Sequence, residues 1–171
     1  MIKKTRILND PSELVTLIQV FESKIHKKVF DAITFNWMTK KELDQQMDID
    51  VTDSIRMLKK IGLIEDKWRT IEPGQLPSKE YCVSYSDVQV SFKCGFNDLS
   101  DILMLSVKPY KEIEDDVVKI KKAISEGNQS MSGLVRTLQM NYSYIRAIAR
   151  RSDELAVMGQ RIRIIEKAEA V

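Results

Sequence analysis

A chain of 171 residues with 43% hydrophobic and 30% charged side chains has the balance of an ordinary soluble globular protein rather than a disordered or membrane one. It is long enough for one domain or two small ones, and its net charge of only +2 hides any local concentration of one sign. No apolar run reaches the roughly eighteen residues of a membrane span, and residues 1–10 lack the apolar middle of a secretory signal, so the expected address is the cytoplasm with no membrane partner. Cys82 and Cys94 stand twelve apart with one distant histidine, His26, which supports neither a zinc site nor a disulfide framework. No metal or other cofactor is expected, and both cysteines read as small core residues.

In chain order, Asp10, Pro11, Ser12 and Glu13 mark a helix start, with Asp10 as cap, Pro11 in the first turn and Glu13 at the capping-box position. Leu14, Leu17, Ile18, Phe21, Ile25, Val29, Ala32 and Ile33 recur at steps of three and four, predicting one long helix or two collinear ones with a break near Val20. Thr39 as N-cap with Glu42 three residues on predicts a short helix that buries Leu43 and Met47. Beyond a tight turn, Asp50 caps a helix with Val51, Ile55, Leu58 and Ile61 on one face, ended by Gly62 in the left-handed conformation. Residues 63–69 and 79–92 read as strands around a loop with Pro73, Gly74 and Pro77. Trp37 is expected to close the connection between the first helices and Trp68 to pack at the base of the loop. Helix, short helix, turn, helix and two strands is the order of a winged helix-turn-helix.

Residues 98–107 place Leu99, Ile102, Leu103 and Leu105 at helical spacing, and Pro109 opens a helix with the stripe Ile113, Val117, Ile120 and Ile124 that Gly127 terminates. Ser130 then mirrors Thr39, Leu134 and Leu138 mirror Leu43 and Met47, and Asn141 mirrors Asp50. The offset is a constant 91 that slips by one in the last helix, where Ile55 and Leu58 meet Ile145 and Ile148. That spacing predicts an internal repeat, against the alternative of chance likeness between capped amphipathic helices. Residues 155–167 give two short strands turning at Gly159, with Ile162 and Ile164 alternating against Arg161 and Arg163. The predicted architecture is mainly α with small β wings: a winged helix-turn-helix over 1–95, connecting or dimerisation helices over 96–128, and a second winged helix-turn-helix over 129–171.

From Ser130 to Arg163 there are six arginines, no lysine, and only Asp153 and Glu154 on the acidic side, a local charge of +4. With Ile145, Ile148 and Ala149 facing inward, a helical wheel turns Ser143, Ala147 and Arg150 outward, with Arg146 on one shoulder and Tyr144 and Arg151 on the other. Small residues between arginines let a helix approach the major groove while guanidinium forks reach guanine edges or phosphates and Tyr142 and Tyr144 donate to the backbone. The matching helix of the first unit carries Asp48, Asp50 and Asp53 at the end that enters a groove, and its outward face of Asp53, Arg56, Met57 and Lys60 is mixed in sign. The second unit is therefore expected to supply most of the affinity for double-stranded DNA, through Arg136, Tyr142, Ser143, Tyr144, Arg146, Ala147, Arg150, Arg151, Arg161 and Arg163. Lys40, Lys41, Arg56, Lys60, Lys67 and Arg69 of the first unit are expected to add weaker contact. A merely solvated arginine face is the bland alternative.

The run NDPSELVTLIQVFESKIHKKVFDAIT, the helix-turn-helix of residues 39–62 and the later FNDLSDILML resemble archaeal regulators of the ArsR-type winged-helix class. The resemblance covers most of the chain and implies a sequence-specific regulator of transcription, usually a homodimer. Metal-sensing members of the broader class use cysteine pairs on a helix or histidine–carboxylate clusters at the dimer interface, and Cys82 and Cys94, in strand-like sequence, make no such pair. Residues 98–125 either join two protomers or form internal core between the two units. A rival reading is a protein-interaction module that keeps the winged-helix shape without DNA contact, as the acidic segment 48–53 would allow. No glycine-rich phosphate loop, nucleophile elbow or paired carboxylates in an apolar setting is present, and Glu114, Asp115 and Asp116 fan around a helix, so no enzyme is expected. Operator and effector have no signature in the sequence.

Overall fold

A computed structural model of the chain describes residues 4–69 and 76–165; Pro73 and Gly74 of the expected wing loop, and the last two residues of the stretch 155–167, lie outside the described residues. The described helices are α1 (Glu13–Glu22), α2 (Lys24–Ala32), α3 (Lys40–Met47), α4 (Thr52–Lys60), α5 (Phe96–Val107), α6 (Glu114–Ser125), α7 (Met131–Leu138) and α8 (Tyr142–Arg151), with a 3-10 turn at Tyr110–Glu112. The strands are β1 (Thr5–Leu8), β2 (Met38–Thr39), β3 (Ile64–Trp68), β4 (Lys79–Val83), β5 (Asp87–Val90), β6 (Leu155–Met158) and β7 (Arg161–Ile164). The chain is thus mainly helical with small sheets, as a winged helix is. Among the described residues no helix is long and apolar enough to cross a membrane.

The chain separates into two compact units, Met1–Leu8 with Val20–Val90 and Asn9–Gln19 with Ser91–Val171. Three consecutive segments were the expectation; instead the division runs through α1, and residues 96–128 belong to the same unit as residues 129–171. Helix α1 gives Val15 to the core of one unit, while Val20 falls in the other.

In the first unit, α2, α3 and α4 enclose Val29, Ile33, Leu43, Val51 and Leu58, none of them exposed. The break after α1 comes at Ser23 rather than Val20, because the Ser23 hydroxyl accepts from the His26 amide (3.3 Å) and starts α2 afresh. Thr39 and Glu42 form the expected capping box, with Thr39 N donating to Glu42 Oε2 at 2.7 Å and Glu42 N to Thr39 Oγ1 at 3.3 Å. Strands β2, β4 and β3 make an antiparallel sheet in that order. The single strand expected over 79–92 is two, β4 and β5. The second leaves for a parallel partner, β1, which the sequence pattern did not reveal. Four residues with only one buried side chain carry too little alternation to announce a strand. Gly62 adopts φ +69°, the left-handed position expected of it.

In the second unit the same order of elements appears: α6, an isolated bridge between Ser130 and Arg161, α7, α8, and the antiparallel hairpin of β6 and β7. Local conformations repeat at the spacing of 91. Thr39 and Ser130 are both N-caps, Asp48 (φ 56°) and Gln139 (φ 52°) are both left-handed, and the side chains of Asp50 and Asn141 accept from the amides of Thr52 (2.9 Å) and Ser143 (2.8 Å). The core collects Ile102 and Leu105 of α5, Ile120 of α6, Leu134 of α7, Ile145 and Ile148 of α8, and Ile162 of β7, each at most 1% exposed. Full burial of such a side chain contributes about 1.5–3 kcal/mol.

Candidate nucleic-acid interface

The acidic approach to α4 is structural. Asp48 makes the left-handed turn, Asp44 Oδ1 accepts from Val51 N at 2.9 Å, and Asp50 Oδ1 takes both the amide (2.9 Å) and the hydroxyl (2.5 Å) of Thr52. Lys40 Nζ bridges Asp44 (2.6 Å) and Asp50 (2.8 Å), which raises the lysine's pKa and, with the Thr52 contacts, holds the Asp50 carboxyl well below the usual range. Lys40, expected on phosphate, is therefore committed to the turn. Helix α4 buries Ser54, Ile55 and Leu58 and leaves Thr52, Asp53, Arg56, Lys59 and Lys60 exposed, while Met57, expected outward, is half-buried. The Arg56 side chain is 76% exposed and meets Asp53 at 3.0 Å across one helical turn. From α2, His26 Nδ1 sits 2.8 Å from the Ser54 hydroxyl, and burial lowers the imidazole's pKa, the nearby Asp53 opposing.

The expected wing cations are clamped too. Arg69 Nη1 and Nη2 donate to Glu42 at 2.6 and 3.0 Å, and its Nε donates to Glu80 at 2.7 Å. Chiefly through Arg69 and then the Thr39 amide, the Glu42 carboxyl falls to about 2, and the two carboxylates push the guanidinium's pKa further up. Lys67 lies 4.0 Å over the Trp37 ring and 3.4 Å from Glu80. Arg69 thus braces the sheet against α3, a role that sequence spacing did not reveal because Glu42 is 27 residues away from Arg69, while Lys67 is held between the Trp37 ring and Glu80 of β4. Asp66 holds Lys79 at 2.8 Å and also pairs with Lys59, so it links α4 to the strands. Trp68, expected to be packed, is 64% exposed with Lys79 5.4 Å from its ring. Lys41 is exposed on α3.

Helix α8 is where the sequence expectation fails. Five consecutive residues, Ile145, Arg146, Ala147, Ile148 and Ala149, are buried. Ala147, placed outward by the helical wheel, is 0% exposed, and Arg146 is only 8% exposed. The reason is a second layer: α5 packs on α8, and the turn before α1 contributes Asp10 and Ser12. Arg146 Nε donates to Asp10 Oδ2 at 2.5 Å, and its Nη1 donates to the Gly159 carbonyl (2.7 Å) and to the Tyr142 hydroxyl (3.2 Å). Arg150 Nε donates to Ser12 Oγ at 2.9 Å with Nη2 3.6 Å from Asp10, and Arg151 donates to the carbonyls of Leu105 and Lys108 at the end of α5. Burial pushes the Asp10 carboxyl up, but Ser12 and Arg146 together hold it below its ordinary value. Tyr144 donates to Asp116 at 3.1 Å, Tyr142 to Gln160 at 3.1 Å, and Ser143 is half-buried. The arginines of this helix are internal struts rather than a face turned to solvent. Asp10 and Ser12 were legible as a helix start, and nothing in the sequence announced that they meet residues 136 and 138 positions away.

Of the expected second-unit contacts, Arg136 on α7 and Arg161 and Arg163 on β7 remain exposed. The unit that holds them has 13 basic and 13 acidic residues, against 14 and 12 in the other, so the net +2 resides in the first unit. Cys82 is buried in β4, and Cys94 is half-buried in the segment before α5 rather than in a strand. Among the described residues no group of three or more His, Cys, Asp or Glu is placed to hold a metal ion.

A three-helix core with a left-handed turn before an exposed α4 and a β3–β4 wing behind it defines a winged helix-turn-helix protein. The family model described as ArsR transcriptional regulator matches residues 8–166, and the chain belongs to that family. No curated protein matches it.

Proposed function

We propose that the protein regulates transcription by binding duplex DNA as a homodimer, with α4 of the first unit entering the major groove and the two units being tandem winged helices. One observation carries the choice of reader: α4 presents Thr52, Asp53, Arg56, Lys59 and Lys60 to solvent, whereas α8 is buried through five consecutive residues. The order of the two units is thus the reverse of the sequence expectation. The Arg56–Asp53 pair is solvent-screened, so a guanine edge or a phosphate competes for the guanidinium at little cost. Lys41 and Lys60, both exposed, add phosphate contact.

Dimerisation is assigned to α5, whose Phe96 (90% exposed), Leu103, Met104 and Val107 form an exposed apolar stripe with Ser100 between them. Positions 96 and 107, like 100 and 103, are symmetric about the middle of the helix. Two antiparallel copies therefore set Phe96 against Val107 and Ser100 against Leu103, as a twofold contact requires.

The test is selection of bound fragments from a genomic pool followed by titration of the recovered duplex. Arg56→Ala should lower affinity roughly tenfold with unchanged thermal stability. Unaltered affinity in that variant would place the reader elsewhere. If the wild-type chain binds no duplex even at low salt, the protein-interaction reading, which the exposed Asp53 at the head of α4 accommodates, takes its place.

A further inference from the structure

Among the described residues, the β6–β7 hairpin of the second unit carries two exposed arginines on one face, Arg161 and Arg163, neither of them engaged by a carboxylate. Its inward face is apolar: Leu155 and Ile162 are buried, and Val157 and Ile164 pack against the core. Its outward face consists of Ala156, Met158, Arg161 and Arg163, since Ala156 pairs with Arg163 and Met158 with Arg161 across the two strands. Cross-strand partners on one face are each other's nearest side chains, so both guanidinium groups have apolar neighbours. Among the described residues neither arginine has an ion-pair partner, and Glu154, at the foot of β6, is held by Lys121. The contrast with the first unit is sharp, for there Glu42, Glu80 and Asp66 clamp Arg69, Lys67 and Lys79.

The hairpin is also held rigidly. Met131 N donates to the Gln160 carbonyl at 2.9 Å and Ile162 N to the Gln129 carbonyl at 3.0 Å, which stitches β7 to the start of α7. Arg146 donates to the Gly159 carbonyl at the tip. Two residues along a strand span about 7 Å, so the two guanidinium groups stand side by side on a braced surface. Guanidinium forks without internal carboxylates, on apolar neighbours, suit phosphate oxygens better than any other common partner, because each fork takes an anionic oxygen pair bidentately.

We infer that the second unit grips the sugar-phosphate backbone of DNA through Arg161 and Arg163 of its hairpin, leaving base recognition to α4. This rests on duplex DNA being the ligand, as proposed above. The contact carries no sequence information and acts as a sequence-independent clamp.

The experiment is fluorescence-anisotropy titration of a mixed-sequence duplex and of a selected site over a series of salt concentrations, using the full chain. For Arg161→Gln with Arg163→Gln, the slope of log K against log salt should fall by about 1.8, or about 0.9 per lost phosphate contact, equally on both duplexes. The discrimination between the two should stay at the wild-type ratio. Arg161→Lys with Arg163→Lys should restore most of the slope, and far-ultraviolet circular dichroism with a thermal melt checks that the fold of each variant is unchanged. An unchanged slope in the double Gln variant, with wild-type binding intact, overturns the hairpin clamp and leaves the α4 reading standing. A loss confined to the selected site overturns it too, by making the hairpin a base reader. Absence of wild-type binding to both duplexes overturns the DNA reading and this inference with it.

Discussion

Helices α4 and α8 occupy the same place in the same order of elements, begin after the same left-handed turn, and bury Ile55 and Leu58 in one case and Ile145 and Ile148 in the other. They part company on the opposite side. On α4 that side carries Arg56 and Asp53, paired loosely in water; on α8 it carries Arg146 and Arg150, taken up by Asp10 and Ser12. Positive charge on a helix therefore says little about ligand binding until the whereabouts of the carboxylates are known. A net-neutral unit can hold a run of arginines because each one is spent on an internal acceptor.

The comparison breaks most readily at Arg146. Removing its side chain takes away the closest cation of the Asp10 carboxylate, whose side chain is only 16% exposed, so Arg146→Ala should cost about 3 kcal/mol of stability in denaturant unfolding. A fully stable Arg146→Ala with weakened DNA binding would reinstate α8 as a reader. Next comes Ala147→Leu, which pushes extra methylenes between α8 and the layer above it and should cost about 2 kcal/mol, whereas an outward-facing position would tolerate it. In the first unit the sharper probe is acid. Glu42 is lowered from 4.5 to about 2, chiefly by Arg69, so its stabilisation is whole above pH 4.5 and disappears as the pH falls through about 2. Glu42→Gln should flatten that limb of the unfolding curve, followed by the fluorescence of Trp37 and Trp68, both of which lie in the first unit. Smallest is the effect at His26. Its folded pKa lies below 6.5 because of burial, so its contribution is present at pH 7 and is lost as pH drops below 6.5. His26→Asn should remove a shallow slope in melting temperature there, and an unaltered slope would show that the imidazole titrates as in the unfolded chain.

Caps and turns were the most legible features, because they depend on a few adjacent residues. Thr39 with Glu42, Ser130, Asn141, Gly62 and Gly127 all sit where local chemistry puts them. The inward stripes of α4 and α6 were legible for the same reason, since one apolar partner produces one clean period. What failed was anything that depends on a second partner. A helix covered on both sides, as α8 is, has no outward face to find. Ala147, read as a gap for a groove, is a fully buried small residue of the core. Likewise, Arg69 and Lys67 look like phosphate ligands until Glu42 and Glu80 are found beside them. The parallel pairing of β1 with β5 joins segments more than eighty residues apart, beyond the reach of any local pattern.

Each compact unit is assembled from two separated stretches of chain, because α1 changes allegiance between Gln19 and Val20. A cut at residue 90 consequently does not yield two independent halves. The downstream fragment would lack Val15 of its core and the acceptors of Arg146 and Arg150, while the upstream fragment would keep residues 9–19 without the unit they belong to. Expressed separately the pieces should be poorly soluble, and co-expressed they should reconstitute one particle, so genetic dissection of this protein has to proceed by point substitution rather than by truncation.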